Sequence, residues 1–396
     1  MDVQVRCNPN EGFGGNWAVY GFHKELTVRS SVRDKSKPRG SASDDSVRVL
    51  LLSSTDGMHT RRSGYSVLAD YLPGAQLVHT LRAPHRNLGE RGINALLARV
   101  AVTRAYRLSS AELEWGGWSV LRRGFEGVVH MLWGDRDLGF LDLLCRRPNQ
   151  KLCCTFHQCP DTLVDWLQFV WRIRGLAGII LMSESQRTFF EGHGVDPRRI
   201  HVVRHGIDVE YFRPGLSMPT EPFTVISVGS YRRNFALLRE VCEALSEVPS
   251  VQFKVIAPAA YRKSFAGLRN VTYLCGIGDE ELLNHYQSAS CLLMTAEDAT
   301  ANNGLLEGLA CGLPIIAERV GGIPEYLNPE AGILTEPRQV GPILRAITRL
   351  RESSSARAEM RHGARQNALQ LAWPLVAQRT MDVYSEIWHT ESRGSF

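Results

Sequence analysis

No long apolar stretch interrupts this chain. Its uninterrupted runs of apolar residues and glycine are short, such as Gly175–Met182, whereas a membrane-spanning helix needs about 20 residues. A hydrophobic leader is missing too: Asp2, Arg6, Glu11, Lys24, Glu25 and Arg29 break up the first stretch of sequence. The nine cysteines are odd in number and scattered without a framework. We read them as reduced thiols of a cytoplasmic protein. Neither an aromatic-plus-basic RNA motif nor zinc-finger spacing is present. Charge of one sign is scarce as well. The net charge of +5 is the sum of +7 over residues 1–215 (29 Lys and Arg against 22 Asp and Glu) and −2 over residues 216–396 (17 against 19). That excess is too small and too dispersed for a nucleic-acid partner, but it suits an anionic membrane surface or a phosphate-bearing substrate.

What is present is a globular composition, 44% hydrophobic and 22% charged over 396 residues. At roughly 150 residues per domain this suggests two large domains or three small ones. Residues 1–46 are rich in Gly, Ser, Asn, Arg and Asp and read as a flexible extension, with the fold starting at Val47. Val47–Ser54 is an almost continuous apolar run, as expected of a strand buried on both faces. A helix is expected from Ser63. Further strands are expected at Gly127–Leu132, Leu152–Phe156, Gly178–Met182 and His201–Arg204, with helices between them. Ser183 and Gln186 have capping-box spacing, and Gly192 and Gly194 can stop the helix that follows. The pattern then restarts. Strands are expected at Phe223–Val228, Val251–Ile256, Val271–Leu274, Cys291–Met294 and Leu313–Ala317, and helices at Phe235–Leu245, Gly304–Cys311 and Val340–Leu350. Strands alternating with helices argue for parallel α/β sheets. A join near Arg213–Pro222, with Pro214, Gly215, Pro219 and Pro222, separates two halves. We expect an acceptor-side domain over 47–212, a donor domain over 213–375 and a C-terminal helix over 376–396. Ligands of such sheets sit at the carboxyl ends of the strands.

The most informative stretch is Asp298–Glu325. Asn303 can cap a helix beginning Gly304, Leu305, Leu306. A helix N-terminus offers free N–H groups and a partial positive charge, which a diphosphate needs. Gly304 lets a phosphate approach the backbone. Glu307, on the first turn, could accept both hydroxyls of a ribose. The bland alternative is a surface helix whose Glu307 merely favours the helix dipole.

Glu307-Gly308-Leu309-Ala310-Cys311-Gly312-Leu313-Pro314, followed by Gly321-Gly322-Ile323-Pro324-Glu325, resembles the signature of retaining GT-B glycosyltransferases of family 4. His201–Pro214 looks like that family's linker into the second domain, Tyr273–Tyr286 like its loop near the nucleobase, around Ile277, and Trp373–Tyr384 like its C-terminal helix. The resemblance covers roughly residues 47–390 and is strongest after 178. It implies two facing Rossmann-like domains with parallel sheets and a C-terminal helix crossing back to the first domain. It also implies a nucleoside-diphosphate sugar as donor, with Gly229, Arg232, Arg233, Ile277, Asn302, Asn303, Gly304, Leu305 and Glu307 around it.

Two departures stand out. The family usually has a second Glu eight residues before the first-turn Glu, and here that position is Ala299. Asn302 and Asn303 could take over its contacts. The family's phosphate loop, Gly-Arg followed some residues later by Lys, is shortened to Gly229-Ser230-Tyr231-Arg232-Arg233-Asn234. Arg233 matches the Lys position, and Arg232 could compensate for Ser230. A guanidinium can hold a phosphate through two bonds; the alternative is a solvated basic turn.

On the acceptor side, His157 follows the expected strand ending at Phe156, and Thr-Phe-His there resembles the family's first-domain active-site His. We therefore take His157, Arg233 and Glu307 as the catalytic candidates. Arg61, Arg62 and Gly64 follow the first strand near a helix start, where an anionic acceptor could bind or a solvated loop could lie. Cys153, Cys154, His157 and Cys159 make a poor zinc site, because adjacent strand residues point to opposite faces. Asp135-Arg136-Asp137 reads as the cap of a helix over Leu138–Leu144, so no metal or other cofactor is expected. Trp166, Phe169, Trp171, Arg172 and Arg174, and likewise Trp115, Trp118, Arg122 and Arg123, could rest on a membrane interface, although core packing is the commoner meaning of such aromatics.

The leading expectation is transfer of a hexose-type sugar to a glycan or lipid-linked acceptor, with retention, in polysaccharide or glycoconjugate biosynthesis. The expected place is the cytoplasm, with the inner face of the membrane as a further site. A nucleotide-sugar epimerase of the same fold, or a catalytically degenerate nucleotide-sugar-binding protein, are the alternatives.

Overall fold

A computed structural model of the chain describes residues 27–30, 47–55, 62, 64–81, 88–145, 147–216 and 221–390. They divide into two compact units. The first holds the described residues up to His205 together with those from Trp373 onward; the second holds Gly206–Ala372.

The first unit is built on seven strands: β1 (Thr27–Ser30), β2 (Val49–Thr55), β3 (Gln76–Leu81), β4 (Gly127–Met131), β5 (Gln150–Phe156), β6 (Gly178–Leu181) and β7 (Ile200–Val202). Their order is β1-β3-β2-β4-β5-β6-β7. All pairs are parallel except the edge strand β1, which runs antiparallel to β3 with Thr27 opposite His79. Strand β1 lies inside the stretch expected to be an extension. Strand β3, in which His79 and Thr80 interrupt the apolar run, was not expected either. The helix expected from Ser63 is a 3-10 helix, Tyr65–Tyr71. The central strands are apolar on both faces because helices cover both: Leu50, Leu51 and Leu52 are fully buried. The C-terminal helix Trp373–His389 packs in this unit. Its Tyr384 hydroxyl meets His130 Nδ1 at 2.6 Å, and His130 Nε2 meets Thr155 Oγ1 at 2.7 Å. Burial pushes the His130 pKa down to about 3, so a neutral imidazole ties that helix to β4 and β5.

The second unit has six strands, all parallel: β8 (Phe223–Val228), β9 (Val251–Ile256), β10 (Val271–Leu274), β11 (Cys291–Met294), β12 (Ile315–Glu318) and β13 (Gly332–Thr335). The order is β10-β9-β8-β11-β12-β13. The direction of winding reverses between β8 and β11, and such a reversal opens a crevice at the strands' carboxyl ends. Alternate residues feed two cores. Leu292 and Ile315 join the cluster holding Tyr286, Leu305, Leu306 and Leu309, while their neighbours Leu293 and Ile316 join the one holding Val225, Val241 and Phe253. Cys145, Cys153, Cys154, Cys159, Cys242, Cys291 and Cys311 are free thiols. Cys275 departs from the expectation of reduced cysteines and is disulfide-bonded.

Candidate functional site

The loop after β8 and the segment after β11 meet at the reversal point. Gly229 opens the loop at φ +90°, and Arg232 holds φ +50°, a conformation that side chains rarely adopt. Cross-bonds to the other segment hold this turn in place. Glu297 N donates to the Arg232 carbonyl at 2.9 Å and Asn234 N to the Thr295 carbonyl at 3.1 Å. Thr295 Oγ1 returns a bond to the Asn234 carbonyl at 2.9 Å. Asn234 also caps the helix Phe235–Ala244 by accepting from Leu237 N at 3.0 Å.

This stitching turns Arg233 inward. Its Nε and Nη2 donate to the Val228 carbonyl at 3.2 and 2.7 Å, and Nη2 donates to Asn302 Oδ1 at 2.9 Å. The same Asn302 oxygen accepts from Leu305 N at 3.1 Å. It is therefore Asn302, not Asn303, that caps the helix Asn303–Ala310. Asn303 becomes the first helical residue, because the cap must sit in extended backbone before the first turn. Leu305 contributes a buried side chain and an amide already used by the cap. A Cβ at Gly304 would lie 3.3 Å from Asn302 Oδ1 and from the Val228 carbonyl, and 3.5 Å from Arg233 Nη2. One at Gly229 would lie 3.4 Å from that same nitrogen. The fold thus brings Gly229, Arg233, Asn302 and Gly304 together at the start of one helix.

The electrostatics of this cluster are unusual. Arg233 is 9% exposed, and burial pushes its pKa down to about 10. It remains a cation at neutral pH, with a carbonyl and an amide oxygen as partners rather than a carboxylate. Among the described residues, its Nη1 is buried without any hydrogen-bond partner. A buried charge left this way is costly unless an anion completes it.

One turn along the helix, Glu307 is 4% exposed and its Oε2 accepts from the Tyr286 hydroxyl at 2.8 Å. Ile277 is partly buried against the same core. Arg232 lies half-buried in the loop. Ala299 is buried at 4% exposure: its N–H donates to Asp298 Oδ1 at 2.8 Å and its carbonyl accepts from Gly322 N at 2.7 Å. Gly321, at φ +48°, leaves no room for a Cβ against the Asp298 carboxylate and Ala299 carbonyl. The Asp298 carboxylate is thus folded back onto its own turn and does not stand in for the missing Glu.

In the first unit His157 follows β5. Its ring stacks on Trp133 (centroids 4.0 Å, 29°) and meets Tyr65 edge-on at 4.8 Å. Its Nε2 lies 2.7 Å from the Leu132 carbonyl and so carries the proton. Burial holds its pKa well below the ordinary value, which leaves it neutral. The backbone N–H groups of His157 and Gln158 donate to Asp135 Oδ2 at 2.7 and 2.8 Å. Asp135 and Asp137 do not cap a helix over Leu138–Leu144. They sit in the short helix Gly134–Asp137, ahead of a separate helix Leu141–Leu144. Asp137 accepts from Ser54 and from Ser110 Oγ, so this acidic pair scaffolds the loops. Gly64 is buried and Arg62 exposed; Arg61 lies outside the described residues. Trp115 and Trp171 are about three-fifths exposed, and Arg122 lies over the Trp118 ring at 4.6 Å. Sequence reasoning passed over Tyr286 and Trp133. An apolar helix spacing makes Tyr286 read as core, and only the contact with Glu307 distinguishes it.

Two doubly wound, parallel α/β units in one chain, with a helix N-terminus and a buried guanidinium at the switch point of the second, define the GT-B class of fold. Residues 222–353 match the sequence model of the family Glycosyl transferases group 1. The chain is similar to a D-inositol 3-phosphate glycosyltransferase of Streptomyces bingchenggensis, at 27% identity over 79% of this chain and 76% of the relative. It is also similar to one of Saccharomonospora viridis, at 25% identity over 48% of this chain and 51% of the relative. With the latter and with other relatives, it spans about half their length. Among solved structures, a glycosyltransferase from Rickettsia africae superposes with a TM-score of 0.64 at 13% identity, covering 87% of this chain and all of that one. The Anabaena protein HepE in complex with UDP-glucose superposes with a TM-score of 0.62 at 13% identity, covering 86% and 99%.

Proposed function

We propose that this chain is a glycosyltransferase that takes a sugar from a nucleoside-diphosphate donor. The observation that carries the proposal is Arg233: a buried cation with an unpartnered Nη1, set beside Gly304 at the start of the helix Asn303–Ala310. A diphosphate supplies the missing anion and meets the helix N-terminus as well. Glu307 is assigned to the ribose hydroxyls. In the reaction the bond from the sugar's anomeric carbon to the diphosphate oxygen breaks, and a bond to an acceptor hydroxyl oxygen forms. The electron pair leaves with the diphosphate, where Arg233 stabilises it, and the acceptor's proton passes to a diphosphate oxygen. No metal is assigned to this step. His157, neutral and with its Nε2 proton engaged by a carbonyl, is assigned a positioning part on the acceptor side together with Arg62.

A glycan or lipid-linked acceptor, a role in polysaccharide or glycoconjugate biosynthesis, and retention of configuration complete the reading. The exposed Trp115 and Trp171 support an acceptor presented at the cytoplasmic face of a membrane. No helix of the described residues is long and apolar enough to cross a membrane. The bound UDP-glucose of HepE makes uridine the first base to test.

Ala299 favours a second reading, a nucleotide-sugar-binding protein without transfer, since the neighbouring Asp298 carboxylate is folded back onto its own turn rather than standing in for the expected Glu. Labelled uridine, guanosine and adenosine diphosphate sugars, offered with glycan and vesicle-borne lipid acceptors, separate the two. We expect one donor to yield a transfer product with the donor's anomeric configuration by NMR. Arg233→Ala should bind the corresponding nucleoside diphosphate at least about tenfold more weakly. Neither hydrolysis nor transfer across the panel would leave the binding-protein reading standing; turnover of a donor without any acceptor would make the chain an epimerase.

A further inference from the structure

Glu307 is not held by its own helix alone. Tyr286 sits near the end of the helix Asp279–Ser288, is fully buried, and crosses to donate its hydroxyl to Glu307 Oε2 at 2.8 Å. Its ring is fixed edge-on to Phe212, with centroids 6.3 Å apart at 83°. Burial, and then the neighbouring Glu307 charge, hold the phenol well above its ordinary pKa. It therefore keeps its proton and can act only as donor to the carboxylate. Arg233 is close enough to act electrostatically on the same phenol.

We infer that Tyr286 is a positioning residue of the donor site: by engaging Glu307 Oε2 it sets the plane of the carboxylate that receives the ribose hydroxyls. A carboxylate on a flexible side chain would otherwise lose rotamer freedom on binding, and a second, buried hydrogen bond removes that loss in advance. The phenol is suited to this task because it is rigid, buried and unable to ionise near neutral pH. The inference rests on the assignment of Glu307 to the ribose.

The test is calorimetric, on the full chain. The probes are the nucleoside diphosphate that binds best among the uridine, guanosine and adenosine forms, and its 2′,3′-dideoxy counterpart. The wild type should prefer the ribose form by about tenfold or more. Tyr286→Phe should bring that preference close to unity while leaving the affinity for the dideoxy form unchanged. An equal loss on both ligands would assign Tyr286 to packing only and overturn the inference. An unchanged preference in Tyr286→Phe would overturn it too, with the Glu307 assignment intact. A wild type without any preference would instead remove the Glu307 assignment and the inference with it. Should Tyr286→Phe fail to fold, Phe212→Leu, which keeps the phenol but frees its ring, is measured on the same two ligands: a reduced preference for the ribose form with unchanged affinity for the dideoxy form supports the inference, and an unchanged preference or an equal loss on both overturns it.

Discussion

Glu114 lies buried on the helix Leu108–Arg122 with four donors around it. Gly139, Phe140 and Leu141 donate backbone N–H groups at 2.8, 3.0 and 3.0 Å, and the Tyr106 hydroxyl donates at 2.7 Å. Burial outweighs these bonds and lifts its pKa to about 7. The native state therefore binds a proton that the unfolded chain, titrating near the ordinary carboxylate value, has released. Stability from this group is full below about pH 4.5 and is lost as the pH rises through about 7. Glu114→Gln keeps an acceptor for the three amides and removes the titration. Its stability relative to wild type should rise by on the order of 2 kcal/mol between pH 5 and pH 8, read from urea unfolding at each pH. A difference that does not change with pH would mean that Glu114 does not titrate in this window. Nothing in the spacing of Glu114 marks it out, since its partners are the amides of a turn about 25 residues on. Glu307 and Arg233 were legible as candidates because each stands in a short signature to which the sequence assigns phosphate-site chemistry. Tyr286 was not, because its partner lies 21 residues away on another helix.

Between residue and molecule, the helix Asn303–Ala310 depends on one side-chain oxygen. Asn302 Oδ1 serves both Leu305 N and Arg233 Nη2, so it couples the cap of the helix to the guanidinium beside it. Two substitutions separate these duties. Asn302→Ser keeps a capping oxygen but is too short to reach the guanidinium as well. It should melt within a degree or two of wild type yet bind nucleoside diphosphate several-fold more weakly. Asn302→Ala should lose that affinity and about 1 kcal/mol of stability besides. If Asn302→Ser binds like the wild type, Asn302 does not orient Arg233. The cap shows how near a sequence reading of an element can come: the helix and its Asn pair were visible, but which Asn is extended depends on the chain arriving from β11. Strands β2, β8 and β11 were legible because burial on both faces leaves a run of apolar residues. Strand β13 was not, since its two middle residues, Ile333 and Leu334, are only partly buried and its run is short.

For the whole molecule, the chain path sets an asymmetry between the units. The second unit is one continuous segment, Gly206–Ala372, whose ends close on each other: Ile207 N donates to the Leu371 carbonyl at 2.9 Å, and Ile207 pairs with Ala372. Arg365 reinforces the closure by donating to the carbonyls of Val209, Phe212 and Ala310 at 2.8 to 3.0 Å. The first unit is discontinuous and needs the helix Trp373–His389, which supplies the buried Trp373, Tyr384 and Ile387. Ending the chain after Ala372 removes these side chains and the Tyr384 bond to His130, a loss of several kcal/mol from one unit, since burying each large apolar side chain is worth about 2 kcal/mol. The truncated protein should lose a cooperative melting transition and digest rapidly within residues 47–205. A protected fragment beginning near residue 206 should remain, with nucleoside diphosphate affinity within a few-fold of the full chain, because every residue assigned to that ligand lies between Gly229 and Glu307. Loss of diphosphate binding from a fragment that still resists proteolysis would mean that the donor site is not contained in the second unit. Survival of both units would mean that the C-terminal helix is dispensable to the first.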